Sequence, residues 1–441
     1  MSQINLLIFD EAHHAKKSHA YAQIIRDFYL RETDQNLRPR IFGMTASPVD
    51  AKVDVVRAAS DLEDILCSRI ATTVDMALLQ KTIVRPEERI VRYHARQQHP
   101  LESDLFRHLK STLGNLHLVQ PLFGRATEIN SHLGRWCSDY YWTFALAEKQ
   151  AQRVENEYER RSRRRIIPQD QGEVDTEVEH IKQATSLVSS HDFLKPRMEV
   201  PSVSAKLISL YNLLAQYFER PSDHRCIVFV DQRVVARLLH KVFELTGGPH
   251  LRPGVLVGSG SGVFGDLQAT FRNQVITLMK FRKGELNCLF ATSVAEEGLD
   301  VPDCNLVVRF DICKTMIQYV QSRGRARHKN SRFLHMLEQN NSVQDRTLQD
   351  NRYSELLMRT FCEALPADRR LIGNDDLDSV STSDSQMTFT VPTTGAKITS
   401  ASCLQLLGHF VSSLPKEGEE ILQPAYITSH HAGKYLSLIH I

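Results

Sequence analysis

Long apolar runs are missing from this sequence. None approaches the ~18 residues a helix needs to cross a bilayer, and the longest, around Leu306 to Phe310, is strand-sized. That excludes a helical membrane span. Net charge is nearly absent as well. Lys and Arg number 54 against 52 Asp and Glu, a formal +2, so any nucleic-acid surface must come from local clusters. Cysteine is sparse: the eight residues stand singly, without a CxxC pair or metal-ligand spacing, which argues against disulfides and structural zinc and for a reducing compartment. A GxxxxGK[ST] phosphate loop is also lacking, since Gly433-Lys434 is followed by Tyr435 and Gly258 to Gly262 contain no lysine. The nineteen histidines show no HExxH spacing, and there is no internal repeat. Met1-Ser2-Gln3 leads straight into a strand, so no secretory leader is expected.

What is present is enough apolar material, 42% of 441 residues, for several cores, on a prior of about one domain per 150 residues. Residues 4–9 read as a short apolar strand of the kind buried on both faces, a helical pattern covers about Ser18 to Leu30, and a second strand runs from Arg40 to Met44. Strand, helix, strand is the grammar of a parallel sheet with helices packed on it. From about His99 to Ser190 the pattern turns helical and charged, with Arg160, Arg161, Arg163, Arg164 and Arg165 in one run. That run reads as a solvated helix face, with RNA-backbone contact as its alternative. Alternation returns at Ser204, with expected strands Cys226–Val230, Asn287–Ala291 and, as the last, Asn305–Phe310. Asn341 to Ala364 is helical, Asn374 to Ser385 is an acidic, Ser-rich linker, and a strand (Thr388–Val391) and helix (Ala401–Leu414) open another small domain. Tyr435 to Ile441 fits no expected element.

Four segments carry chemistry. Asp10-Glu11-Ala12-His13 follows a strand's carboxyl end, where α/β sheets bind ligands; the pair either caps a helix or holds Mg²⁺ (Asp10) and activates water (Glu11). Thr45-Ala46-Ser47 leaves the next strand and can relay a hydrogen bond to a neighbouring domain. In Phe290 to Pro302, Thr292 and Ser293 can meet a phosphate, Gly298 permits close backbone approach, and Asp300 can take a ribose hydroxyl or steady an arginine loop. Gln318 to His328 sets Arg323, Arg325 and Arg327 around Gly324: either a solvated or RNA-facing surface, or arginine fingers reaching a γ-phosphate.

In this order the four segments resemble motifs II, III, V and VI of superfamily-2 helicases, in wording similar to the Dicer-like and RIG-I-type duplex-RNA ATPases. The tail from Val391 to Pro415 resembles the start of a Dicer dimerisation domain. The resemblance implies an α/β fold of tandem RecA-like (P-loop NTPase type) parallel-sheet domains with an all-helical insertion, followed by the start of a small α+β domain. Its implied boundaries are the end of the first RecA-like domain (1–90), the start of the second with the insertion (91–203), the second domain (204–335), a helical pincer (336–373), a linker (374–387) and part of the dimerisation domain (388–441). It implies ATP and Mg²⁺ as cofactors (Mg²⁺ or Mn²⁺ for RNase III domains outside this sequence) and double-stranded RNA as partner. A double-strand-binding protein would dock through the dimerisation domain. Asp10, Glu11, Arg325 and Arg327 would be catalytic, with His13, Gly298, Asp300 and Gln321 completing the nucleotide site. Thr45, Ser47, Thr292 and Ser293 would couple it to RNA. Arg327 takes the second-finger role where many relatives have a position matching His328. The implied function is translocation that feeds duplex RNA to cleavage in silencing and antiviral defence, in the cytoplasm or nucleus. A chain without its phosphate loop is expected to be a fragment inactive as an ATPase. The rival readings are a non-catalytic duplex-RNA sensor or scaffold and, more weakly, a DNA-repair helicase.

Overall fold

The computed structural model describes residues 4–16, 18–48, 54–73, 85–95, 103–147, 151–152, 156, 171–258, 271–296, 299–371, 389–390, 397–398, 425–431 and 434–440. The chain divides into two compact units, Met1–Thr72 with Met76–Arg370, and Thr73–Asp75 with Leu371–Ile441.

The first unit holds two parallel sheets. Strands β1 (Leu6–Phe9) and β2 (Arg40–Gly43) pair with Phe9 opposite Gly43. Helices α1 (Ala20–Ile24) and α2 (Val55–Leu66) follow these two strands, and Phe9, Ala12, Ile25, Leu62 and Leu66 form their shared core. The other face of this small sheet is open: Leu6 is 48% exposed, Ile8 58% and Phe42 51%. The burial on both faces expected of residues 4–9 therefore does not hold, because helices cover one side of a two-stranded ribbon.

The larger sheet has six strands: β3 (Glu87–Tyr93), β4 (Cys226–Phe229), β5 (Pro253–Leu256), β6 (Cys288–Ala291), β7 (Leu306–Arg309) and β8 (Arg332–Glu338). Their spatial order is β3-β8-β7-β4-β6-β5, and every neighbouring pair is parallel. This is the parallel α/β, RecA-like class expected. Strands buried on both faces alternate between two cores with the period of two that the pleat imposes. Cys226 and Val228 point into one core, Ile227 and Phe229 into the other.

The first core is covered by helices α3 (Asp104–Leu113), α4 (Gln120–Leu133), α5 (Arg135–Ala145), α6 (Gln171–Ser190), α7 (Ala205–Tyr217) and α8 (Arg233–Thr246). Leu109, Leu113, Leu122, Ile129 and Trp142 from the first three join Leu207, Leu210 and Leu239 beneath the sheet. Gly134 lets α4 and α5 sit down on the chain before α7. Its φ is 102°, and a Cβ there would stand 2.5 Å from the Cα of Val203, so only glycine fits. The second core packs under α9 (Phe271–Arg282), α10 (Met316–Arg323) and α11 (Ser342–Glu363), through Leu278, Phe281, Tyr319 and Leu348. Val55 and Ala59 of α2 meet Met316 of α10 and Met358 of α11, joining the small sheet's helices to the large sheet's.

Two boundaries move. Arg332–Glu338 is a strand, so Asn305–Phe310 is not the last of the set, and an edge at 335/336 would cut β8. Likewise 90/91 falls inside β3, whose Glu87 pairs with Arg332. Glu87, Glu88, Arg89 and Arg92 in β3, and Arg332, His335 and Glu338 in β8, break up the apolar residues and hid both strands from a search for apolar runs.

In the second unit, Phe389–Thr390 pairs with Lys397–Ile398, and Ala425–His431 pairs antiparallel with Lys434–His440. Tyr435 to His440 is thus the second strand of a hairpin, a correction to its reading as unassignable. The expected helix 401–414, the linker 374–385 and the arginine run 160–165 lie outside the described residues. Among the described residues no helix is long and apolar enough to cross a membrane.

Candidate nucleotide site between the two sheets

The carboxyl end of β1 turns sharply. Glu11 adopts φ 48° and ψ 53°, left-handed for a residue with a side chain, while its N–H donates to Asp10 Oδ1 at 3.0 Å. The kink lets Ala12 N–H reach Met44 O (2.8 Å) as Met44 N–H reaches Phe9 O (2.9 Å), so residues 10–13 and 44–47 are sewn together at the ends of two neighbouring strands. Asp10 is exposed, Glu11 half-buried and His13 buried.

His13 Nδ1 lies 2.8 Å from Thr45 Oγ1 and 3.3 Å from Glu11 Oε2. Thr45 Oγ1 donates to Ser47 O at 2.9 Å and accepts the Ser47 N–H at 3.2 Å. A hydroxyl has one proton to give, so toward His13 it accepts, which assigns the imidazole proton to Nδ1. Ser47 is buried, and its Oγ meets Met316 Sδ at 4.0 Å on α10. A chain of contacts therefore runs from the box after β1 to the first residue of α10, the helix that precedes the Arg325–Arg327 loop.

On the large sheet, Thr292 leaves β6 buried, its N–H donating to Leu256 O at 3.2 Å, and Ser293 beside it is exposed. The turn continues to Glu296, whose carbonyl accepts Arg325 Nη2 at 2.9 Å and whose carboxylate is buried against Arg309. Burial, and Arg327 beside it, pull the Arg325 guanidinium below its ordinary range, opposed by the negative charges of Asp300 and Glu11. Arg325 thus lies within the electrostatic reach of the box carboxylate. Arg327 is exposed; its Nε donates to Gly324 O at 2.8 Å and it lies 3.8 Å from Asp303. Arg323 is not in the cleft: Glu355 of α11 holds it in a two-pronged pair at 2.8 and 2.5 Å. Asp300 is exposed and paired to Arg282 at 2.6 Å. Gln321 is buried, and neither atom of its amide has a hydrogen-bond partner among the described residues, so it retains unused capacity. Gly298 lies outside the described residues.

Between the sheets opens a cleft of about 1120 Å³, lined by His13, His14, Lys16 and His19 on one side and by Asp231, Arg233, Thr292, Ser293, Thr315 and Gln318 on the other. Imidazoles and Lys16 on one wall, hydroxyls and Arg233 beside Asp231 and Glu296 on the other, suit a phosphate ester rather than an apolar ligand, and the Glu11 carboxylate stands against His13 next to them. Among the described residues no cluster of three or more His, Cys, Asp or Glu makes a ready metal cage. Asp10 instead offers a single exposed carboxylate, which fits a hard cation that keeps waters and takes its other ligands from phosphates. Sequence reasoning missed Glu296 and Arg309. The signal was there: a charge inside the apolar strand Leu306–Arg309 demands a buried partner.

A family model described as "helicase conserved C-terminal domain" matches residues 205–330, the span from α7 to the loop before β8. The chain is 45% identical over 439 residues to Dicer-like protein 1 of Aspergillus clavatus, covering 99% of this chain and 28% of that one. It is 44% identical to Dicer-like protein 1 of Neosartorya fischeri with the same coverage, and 46% identical over 429 residues to that of Aspergillus niger, covering 97% and 28%. The chain thus spans just over a quarter of these relatives' length. The solved Hef helicase domain of Pyrococcus furiosus is similar at 19% identity and a TM-score of 0.38, covering 78% of this chain and 73% of that one, a likeness too slight to carry anything further.

Proposed function

As a homologue, along nearly all its length, of part of the Dicer-like proteins of Aspergillus and bearing a helicase C-terminal domain, this chain serves, we propose, in an ATP-driven motor on double-stranded RNA. The observation that carries the reading is the path His13–Thr45–Ser47–Met316, which joins the carboxylate box to the helix preceding the Arg325–Arg327 loop, with Glu11 among the charges acting on Arg325.

In this reading Asp10 holds Mg²⁺, which supplies charge neutralisation on the phosphates when bound. Glu11 orients and deprotonates the attacking water. Arg325 and Arg327 take charge that develops on the transferred phosphoryl group, Arg325 from the half-buried position nearer Glu11 and Arg327 from the rim. Gln321 spends its open amide on the nucleotide, with Asp300 beside it. Thr292, exposed Ser293, Thr45 and Ser47 pass the change of state to the RNA backbone, which is read by A-form shape, phosphates and 2′-hydroxyls. The larger protein feeds duplex RNA to cleavage into small interfering RNAs, in the cytoplasm or nucleus, with a double-strand-binding partner docking through the 388–441 region.

The 441 residues hold no GxxxxGK[ST], so this stretch alone should not turn over ATP. That same observation favours the second reading, a duplex-RNA-binding sensor or scaffold. The test joins the chain to a phosphate-loop segment and substitutes Glu11→Gln. RNA-stimulated ATP turnover should fall about a hundredfold or more while RNA affinity holds. Undiminished turnover would remove Glu11 from the mechanism, and a parent protein that binds RNA without any turnover would favour the sensor.

A further inference from the structure

Arg309 ends the apolar strand β7 and is 1% exposed; Glu296, its partner, is 5% exposed. The guanidinium does two things. Nη1 meets the Glu296 carboxylate, and Nε donates to Asp311 O at 3.1 Å. Each end of this bracket leads elsewhere. On one side, the carbonyl of the same Glu296 accepts Arg325 Nη2 at 2.9 Å. On the other, the Asp311 carboxylate accepts the Asp231 N–H (2.9 Å), Lys206 Nζ (2.7 Å) and His132 Nε2 (3.0 Å), tying β7 to the last turn of α4.

Stability alone does not account for such a pair. Two desolvated charges in a core are often matched by an apolar pair of the same volume, so their persistence is better explained by geometry they impose. A planar guanidinium fixes two acceptors at once, which neither Lys nor Met can do. Here the two acceptors are the turn that seats Arg325 and the strand end that seats the helical insertion.

The structure assigns Arg309 as a positioning residue for Arg325: with Glu296 it holds the 293–296 turn so that the carbonyl of Glu296, a residue of the cleft lining, parks the Arg325 guanidinium. It touches no substrate. Its role rests on the functional reading for its consequence, but the geometry is testable without it.

The test is phenylglyoxal modification of the 441-residue chain, followed residue by residue by peptide mass spectrometry. In Arg309→Met and in Glu296→Gln, Arg325 should react about fivefold faster than in the parent, the effect of releasing one hydrogen bond. Arg327, already exposed, should not change, and Arg323, clamped by Glu355, should stay slow and so report an intact fold. If either single variant unfolds, with Arg323 accelerating too, the paired variant Arg309→Met with Glu296→Leu restores a neutral core and is read instead. An unchanged Arg325 rate in any folded variant overturns the proposal. In a protein carrying a phosphate loop, Arg309→Met should lower kcat about tenfold with KM for ATP little changed, and should cost nothing more in an Arg325→Ala background. Additive losses there would also overturn it. A parent protein without turnover would sink the functional reading and leave the modification result standing.

Discussion

Asp139 on α5 offers a sharp test of how the helical insertion is built. Its Oδ1 accepts the Ser103 hydroxyl at 2.6 Å, and Ser103 Oγ in turn accepts the Phe106 N–H to cap α3. Burial pushes the carboxyl up from 3.8 to about 6, against the lowering effects of Ser103, His191 and Arg135. The unfolded chain therefore gives up this proton more readily than the folded one. The contribution is fully present below pH 3.8 and lost as pH rises through 6, so at neutral pH the carboxylate is a burden. Each step of one on the pH scale is worth about 1.4 kcal/mol, so the rise puts that burden at about 3 kcal/mol above pH 7. Asp139→Asn keeps an oxygen for Ser103 and removes the charge. Urea unfolding should find the variant about 2–3 kcal/mol more stable than the parent at pH 8, about half that at pH 5, and no different below pH 4. A difference that ignores pH, or a variant less stable at pH 8, would mean that the carboxylate is well satisfied where it lies and that the burial reasoning fails.

Four other outcomes are expected, the first being the loss of RNA-stimulated turnover in Glu11→Gln. Glu88 is held down at about 2: burial works to raise it but is outweighed by hydrogen bonds from His335, Arg352 and Tyr319. Its contribution is present above pH 4.5 and lost as pH falls through 2, and Glu88→Gln, which weakens the Arg352 link between α11 and β3 while Arg92–Asp345 remains, should lower stability at pH 7 by about 1–2 kcal/mol in the same urea assay. Lys206→Met strands the Asp311 carboxylate, which burial would raise but which Lys206 and His132 hold well below the usual range. It should cost about 3–5 kcal/mol in guanidinium unfolding, and a loss under about 1 would show the pair to be dispensable. Thr45→Val removes the hydroxyl that links His13 Nδ1–H to Ser47, leaving Nδ1–H to Glu11 Oε2 at 3.3 Å, so in a phosphate-loop-bearing protein the ATP spent per base pair displaced should rise about fivefold; an unchanged ratio would take Thr45 out of the coupling path.

The strands that sequence reading located are those whose physics is one-dimensional. β4, β6 and β7 are buried on both faces and appear as plain apolar runs, and helices α7, α8 and α11 carry their period in full. The edge strands β3 and β5 and the charged β8 did not appear. Glu87, Glu88, Arg89 and Arg92 make β3 look like surface, and all but the Arg89–Glu87 pair find their partners far along the chain, in His335 of β8 and in Tyr319, Asp345 and Arg352 of the helices beside it. The site divides the same way. Its motifs stood in the sequence in order, and the structure brings His13, Thr292 and Ser293 to one cleft, with Glu11 and the Thr45–Ser47 turn against His13 and Arg325 bonded to the cleft-lining Glu296. It also separates Arg323 onto α11, ties Asp300 to Arg282 and leaves Arg327 on the rim. For the bracket of Glu296 and Arg309 the sequence showed half: a charge at the end of an apolar strand calls for a buried partner, but which residue supplies it is a contact that a string of letters does not state.

The pairing of Glu87 with Arg332 has a consequence for the chain while it is being made. β3 leaves the ribosome long before β8, its one strand neighbour among the described residues, has been translated. At about 5–20 residues per second it waits on the order of ten seconds or more with both hydrogen-bonding edges bare. A strand in that position is a template for wrong partners, from its own chain or from the next copy on the messenger. Its glutamates and arginines, Glu87, Glu88, Arg89 and Arg92, then serve as gatekeepers during synthesis, repelling apolar strands until the complementary edge arrives.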